Sequence, residues 1–240
     1  MTSLSLMGVR GGLGASTLLA AIGYALESLG ERVLLVDMCP ENMLRLHVGL
    51  DAAQESGWAR AMRDGQDWFR QAWSLTPHLH LLPYGALSAR ESADLELQLL
   101  DEPLLWARRQ DSLAAHYDWI LFDLPQRLPG HANPGPCLFP IQLIEADAAC
   151  HILLQQQLSD TLLLVNRFDP ASQLQRDLLL LWRNHCADRL LPLTIHVDEA
   201  VREALAFKQP LGQYAPGSLA AQDVLSLATW CLTRRRGDVS

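Results

Sequence analysis

Short runs of uninterrupted apolar residues alternate along the chain with longer stretches of helical spacing. Two of the runs, RVLLVD at 32–37 and DWILFD at 118–123, end on an aspartate. A strand with no polar residue on either face is buried on both sides, the condition of a parallel sheet covered by helices. The expected fold is therefore α/β, a mostly parallel central sheet with helices on both faces. Candidate strands are 4–9, 32–37, 79–83, 119–123, 139–144, 161–166 and 193–196. Helical spacing marks 16–29, 88–116, 147–157, 172–187, 198–208 and 218–234, with a shorter helical pattern at 57–64. The stretch 127–136, rich in proline and glycine, reads as an irregular loop and a candidate for movement. With 240 residues, 49% of them hydrophobic, the chain can bury a full core, and one domain over 1–240 is expected.

Charge and cysteine content narrow the function classes. Acidic residues outnumber basic ones 27 to 19, a net charge of -8, so the surface should repel nucleic acid and no nucleic-acid partner is expected. Five cysteines, widely spaced and without a CxxC pair, suggest neither a disulfide framework nor a zinc site, and read as reduced thiols. The first residues lack the pattern of a signal peptide, and no apolar run approaches the roughly 20 residues that span a bilayer. A cytoplasmic location is expected, with membrane contact only through partners.

The segment GVRGGLGAST, residues 8–17, carries the clearest chemistry. It follows a strand and precedes a helix, so Gly11, Gly12 and Gly14 let backbone amides converge on an anion at the helix's positive end. Ser16 and Thr17 fall in the first helical turn, where a hydroxyl can ligate a magnesium ion that bridges phosphates. The same glycines are also compatible with a plain tight turn. Asp37 and Asp123, at the carboxyl ends of apolar strands, lie at the sheet edge where ligands bind in open parallel folds. Both are candidate catalytic acids and, with Ser16, candidate metal ligands. A dinucleotide fingerprint is the competing reading, but Thr17 stands where a small residue should pack helix on strand, and Arg10, Ser16 and Asp123 would have no task.

The pieces RGGLGAST at 10–17, VDMCPEN at 36–42, ILFDLP at 120–125, LLLVNRF at 162–168 and DEAVREALAFKQPLGQY at 198–214 resemble, in order, the motifs of MinD/ParA-type ATPases. These are P-loop NTPases of the SIMIBI class with a deviant Walker A loop. Within that family the chain is most similar to the cellulose-biosynthesis branch, on the stretches GWARAMRDGQDW at 57–68 and IHVDEA at 195–200.

The resemblance implies roles for particular positions. Arg10 takes the place of the signature lysine, which reaches across a nucleotide-sandwich dimer to the partner's phosphates, and an arginine keeps that charge. Gly11, Gly12, Leu13, Gly14, Ala15, Ser16 and Thr17 would form the ATP phosphate loop. Ala15 replaces the P-loop lysine, and Ser16 carries the magnesium-binding hydroxyl. Asp37 would be the first switch acid, Asp123 the Walker B acid, Asn166 the adenine contact, and Asp198 would lie near the base. Cys39 stands where a second switch acid is usual. Losing one charged hydrogen bond to phosphate costs about 1.5–3 kcal/mol, which Mg-ATP binding can survive. Losing positioned charge at a transferred phosphoryl can cost about 10³–10⁵ in rate, so turnover is expected to be slow or absent. The implied partners are a second copy of the chain, a small cellulose-biosynthesis subunit, a c-di-GMP-binding regulatory subunit and the inner-membrane cellulose synthase. A nucleotide-free pseudo-ATPase scaffold and a ParA-like positioning ATPase are the alternatives.

The remaining conspicuous residues have plainer readings. His196 reads as a hydrogen-bonded structural residue. Trp58, Trp68 and Trp73 read either as core or as a partner surface. Cys137 and Cys150 lack the glycine-flanked pattern of a bridging iron–sulfur cluster. The helix before Arg234, Arg235 and Arg236 is apolar around too much of its circumference for a membrane-surface stripe, which favours a buried helix with a solvated end.

Overall fold

In the computed structural model, which describes residues 1–156 and 160–237, eight strands form one sheet. They are β1 (Thr2–Gly8), β2 (Val33–Asp37), β3 (Trp73–Ser74), β4 (Leu79–Leu82), β5 (Trp119–Asp123), β6 (Phe139–Ile144), β7 (Leu162–Phe168) and β8 (Leu190–His196). Their spatial order is β3-β4-β2-β5-β1-β6-β7-β8. All pairings are parallel except that of the two-residue edge strand β3 with β4. The helices are α1 (Ala15–Ser28), α2 (Trp58–Arg63), α3 (Ala89–Asp101), α4 (Leu105–Leu113), α5 (Ala148–Gln155), α6 (Gln173–His185), α7 (Ala200–Ala206), α8 (Leu211–Tyr214) and α9 (Leu219–Gly237).

The apolar runs are buried on both faces because alternate residues enter different cores. Val33 and Leu35 of β2, with Trp119 and Leu121 of β5, join the core that contains α1, α6 and α9. Leu34 and Val36, with Ile120 and Phe122, join the opposite core, which holds Trp58, Leu95, Leu99 and Trp106 from α2, α3 and α4. The chain reverses its direction of travel across the sheet at β1, which pairs with β5 on one side and β6 on the other. Ligands bind at such a switch point, beyond the carboxyl ends of the strands.

Three local features depart from the expected elements. The helix expected over 88–116 is two helices, α3 and α4. Ser88 starts the first with a capping box to Glu91, and Pro103 forces Glu102 out of helical geometry, at φ -118 and ψ 61. The short strand β3 and the single-turn helix α8 carry too few residues to show a period. At the other end, α9 buries Ala220, Val224, Leu227 and Cys231. Its end is not simply solvated: Arg235 donates to both carboxylate oxygens of Glu31, at 2.6 and 2.9 Å. Gln157, the last residue of one expected helix, lies outside the described residues.

Gly57 shows why α2 begins where it does. The amides of Trp58 and Ala59 donate to Pro83 O at 2.9 Å and Tyr84 O at 3.0 Å. This draws the chain so close that a Cβ on Gly57 would sit 2.2 Å from Gly85 N and 2.5 Å from Pro83 O. The obstacle is space, since φ 171 at Gly57 is extended backbone. Gly57→Ala should therefore destabilise the chain by about 3 kcal/mol, read as a lowered urea midpoint, whereas Gly11→Ala, whose Cβ meets nothing within 4 Å, should leave that midpoint nearly unchanged.

Candidate functional site

The loop between β1 and α1 turns on two left-handed glycines, Gly12 at φ 79 and Gly14 at φ 88, a region L-residues with a Cβ rarely enter. Gly14 caps α1, and its carbonyl accepts from Leu18 N at 2.9 Å. Three side chains engage the loop's carbonyls: Gln126 Nε2 donates to Val9 O at 2.6 Å, Asn166 Nδ2 to Leu13 O at 2.7 Å and Arg167 Nη1 to Gly12 O at 3.0 Å. Holding the carbonyls this way leaves the loop's N–H side and the α1 N-terminus for an anion. The loop borders a cavity of 660 Å³, whose walls include Arg10, Gly11, Gly12, Leu13, Gly14, Ala15, Ser16, Thr17, Cys39 and Asp123.

The register of β2 on β5 sets Asp37 beside Asp123. Both are buried, at 0% and 1% exposure. Asp37 Oδ1 accepts from Cys39 N at 2.9 Å and Oδ2 from Leu44 N at 3.1 Å. Neither oxygen of Asp123 makes a well-formed hydrogen bond. Burial raises the pKa of Asp37 well above the usual carboxylate range, and the neighbouring Asp123 charge raises it further. Burial raises Asp123 too, and the nearby Ser16 hydroxyl offsets only part of that rise. A hard divalent cation suits this set: Asp123 offers two unspent oxygens, and Asp37 and Ser16 are oxygen donors. Cys39 fits such an ion poorly. Its thiol donates to Asp123 O at 3.6 Å, and burial together with the two aspartates holds it strongly protonated.

Arg10 does not stand free. Its Nη2 donates to Glu145 Oε2 and Asp147 Oδ2, each at 2.7 Å. Arg167, left-handed at φ 53, bonds the other Glu145 oxygen at 2.7 Å. The sequence reading overlooked Glu145, Asp147 and Arg167, although IEAD at 144–147 places acids at the carboxyl end of β6 by the same logic that singled out Asp37 and Asp123. It also overlooked His47, whose Nε2 lies 3.3 Å from Thr17 Oγ1 and whose pKa burial pushes down to about 4.

A smaller cavity of 80 Å³ adjoins the loop, and Gly14, Thr17, Asn166, His196 and Asp198 are among its lining residues. Asp198 is spent on local structure, accepting from Ala200 N at 3.0 Å and Ala220 N at 3.1 Å. His196 is held by Asp223, through its amide at 2.9 Å and Nδ1 at 2.8 Å. Trp58 is fully buried, and its Nε1 donates to Asp37 O at 2.7 Å, so one of the three tryptophans reaches the site from behind. Trp68 and Trp73 are half-buried. All five cysteines are free thiols.

The acid pair makes the stability of the free chain depend on pH. Raised carboxylate pKa values mean that the folded chain binds more protons than the unfolded chain between about pH 4 and those values. Stability contributed by the protonated acids is therefore lost as pH rises through this window. Asp123→Asn should raise the melting temperature at neutral pH, by about 1–3 kcal/mol of stability, and the gain should vanish below about pH 4, as calorimetry across pH would show.

The sequence model of the family described as "Cellulose biosynthesis protein BcsQ" matches residues 1–232. The chain is 42% identical over 250 residues to the cellulose biosynthesis protein BcsQ of Escherichia coli K12, covering 99% of this chain and 96% of that protein. Among solved structures it resembles the septum site-determining protein MinD of Pyrococcus horikoshii, complexed with Mg-ADP, at TM-score 0.70 and 22% identity, covering 95% and 94% of the two chains. It also resembles a Cyanothece McdA variant in complex with ATP, at TM-score 0.75 and 17% identity, covering 97% and 96%. The fold is thus that of the MinD/ParA ATPases, and the chain belongs to the BcsQ family of cellulose biosynthesis proteins.

Proposed function

We propose that this chain is a cytoplasmic accessory subunit of bacterial cellulose synthesis that holds Mg-ATP between two copies of itself and turns it over slowly or not at all. The observation that carries this reading is the buried Asp123 carboxylate, unspent and facing a cavity walled by the glycine loop. Two structural neighbours, one complexed with Mg-ADP and one with ATP, support it. Ser16, Asp37 and Asp123 would hold the magnesium, and the 11–17 loop the phosphates. Asn166 would meet the adenine by exchanging its bond to Leu13 O, and Asp198, already committed as a cap, would shape that end of the site. Magnesium would neutralise phosphate charge at the acids.

Weak turnover follows from Ala15 and Cys39, which remove a cation and a carboxylate from the loop and the switch segment. Among the described residues no helix is long and apolar enough to cross a membrane. Contact with the inner membrane would come through the synthase, a small cellulose-biosynthesis subunit and a c-di-GMP-binding regulator. Ala15 also favours a second reading, a nucleotide-free scaffold.

Purifying the chain and chromatographing its denatured extract separates the readings. Intact ATP on a dimer supports the holding switch, ADP shows real turnover, and an empty protein that ignores added Mg-ATP leaves the scaffold.

Arg10 must exchange Glu145 and Asp147 for a partner's phosphate if it bridges copies. These ion pairs are only partly exposed, and such a pair is worth about 0.2–1 kcal/mol. Glu145→Gln should therefore strengthen ATP-dependent dimerisation by up to about five-fold, and Arg10→Ala should weaken it, both read by sedimentation velocity with and without Mg-ATP. Unchanged sedimentation of Arg10→Ala would remove the bridging role.

A further inference from the structure

The acid pair has a third neighbour that magnesium has no use for. One donor atom from each of Asp37, Cys39 and Asp123 lies within 4.8 Å of the others. Asp123 is 1% exposed with both oxygens unspent, and it lines the 660 Å³ cavity together with Cys39. An ion held about 2.0–2.3 Å from oxygen and sulfur donors fits among atoms so spaced after modest side-chain rotation.

Ion preference follows from the donors. Magnesium takes oxygen and leaves a thiol alone, whereas zinc and its spectroscopic relative cobalt(II) accept carboxylate and thiolate together. We propose that Asp37, Cys39 and Asp123 form a site for a thiophilic divalent cation, with its fourth position open to the cavity for water or a phosphate oxygen. Binding forms a metal–sulfur bond and releases to solvent the Cys39 thiol proton together with the proton that the buried acid pair holds. The ion's charge offsets that of the two buried carboxylates, and the bond ties the segment after β2 to the end of β5. This site shares Asp37 and Asp123 with the proposed magnesium site, so the two ions would compete for it, but it needs no nucleotide.

The test is titration of the chelator-stripped full chain with cobalt(II), in the absence of nucleotide. The expected result is a near-ultraviolet thiolate-to-cobalt absorption that saturates at one ion per chain and is abolished by zinc. Cys39→Ser should lose the absorption and bind zinc at least about tenfold more weakly. Cys39→Asp should bind cobalt without it. Asp123→Asn tests the site independently of the thiol and should also weaken cobalt binding at least about tenfold, with near-ultraviolet circular dichroism reporting the fold of each variant. Absorption that persists in folded Cys39→Ser would place the ion on another thiol and overturn the proposal. So would cobalt affinity unchanged in Asp123→Asn, or no absorption from the parent chain at a large molar excess of cobalt(II). Failure to bind Mg-ATP would leave the cobalt titration unaffected and would count only against the nucleotide reading.

Discussion

Two carboxylates placed side by side in the middle of a protein are the constraint on which this site is built. Parallel pairing of β2 with β5 puts Asp37 next to Asp123, and both strands are buried on both faces, so both acids are held out of bulk solvent, with Asp123 at the wall of the cavity. The amides of Cys39 and Leu44 satisfy Asp37, and the bend they impose carries the chain out of β2 toward the cavity. Asp123 has only the nearby Ser16 hydroxyl, and neither of its oxygens makes a well-formed hydrogen bond. An unspent buried carboxylate is unfavourable in a free chain. Its persistence makes sense where a cation or proton joins it, and the neighbouring loop has the shape to bring a cation with an anion.

The second core supports the acid pair from behind. Trp58 donates to Asp37 O and packs edge-on to Tyr84 and Trp106, at centroid distances of 5.3 and 5.1 Å. Arg109, 7% exposed, lies over Trp68 at 4.4 Å and Trp106 at 4.6 Å. Burial lowers its pKa to about 10, which leaves it charged at neutral pH, so aromatic faces take part of the place of water around the cation. Tyr84 continues the path, with its hydroxyl 2.8 Å from Nε2 of the fully buried His131, whose ring and amide meet Glu96. Through this network the loop after β5 is pinned to α3. The proline- and glycine-rich stretch 127–136 is irregular, as its composition suggests, yet anchored through Gly130, His131 and Asn133. Mobility is the natural reading of the composition because glycine and proline report backbone geometry, while anchoring comes from a glutamate some thirty residues away.

The legible part of the molecule was whatever a period or a strand end could encode. VLLV and WILF cannot be amphipathic, so their two-sided burial followed from the residues alone. The glycine loop and the aspartates at 37 and 123 followed from position at strand ends. Side-chain commitments made across the fold were not legible. Arg10 was expected to point away from its own chain, but nothing in RGGLGAST reveals that Glu145 and Asp147, 135 and 137 residues later, meet it. Arg235 looked like part of a solvated tail because its partner, Glu31, lies 204 residues earlier. The break at Pro103 was legible by local chemistry and was obscured by the apolar spacing that continues on both sides of it.

The charge arrangement around the mouth of the cavity bears on how an anion could be held there. A P-loop lysine would add a cation at position 15, and this chain has alanine. The two arginines nearest the loop, Arg10 and Arg167, are both bound to Glu145, and Arg10 also to Asp147. Their positive charge is therefore largely neutralised in place, and a phosphate would have to compete with carboxylates 2.7 Å away. What remains uncommitted is the backbone N–H side of the loop, the dipole of α1, the exposed Arg127 on the cavity wall, and whatever cation Asp123 recruits. An ion bound at the aspartates would offset their charge, and so remove a repulsion that a phosphate entering the free chain's cavity would meet. A phosphate here would therefore rely on the loop amides, on Arg127 and on the relief that an ion gives at the aspartates, in place of the lysine that a P-loop carries itself.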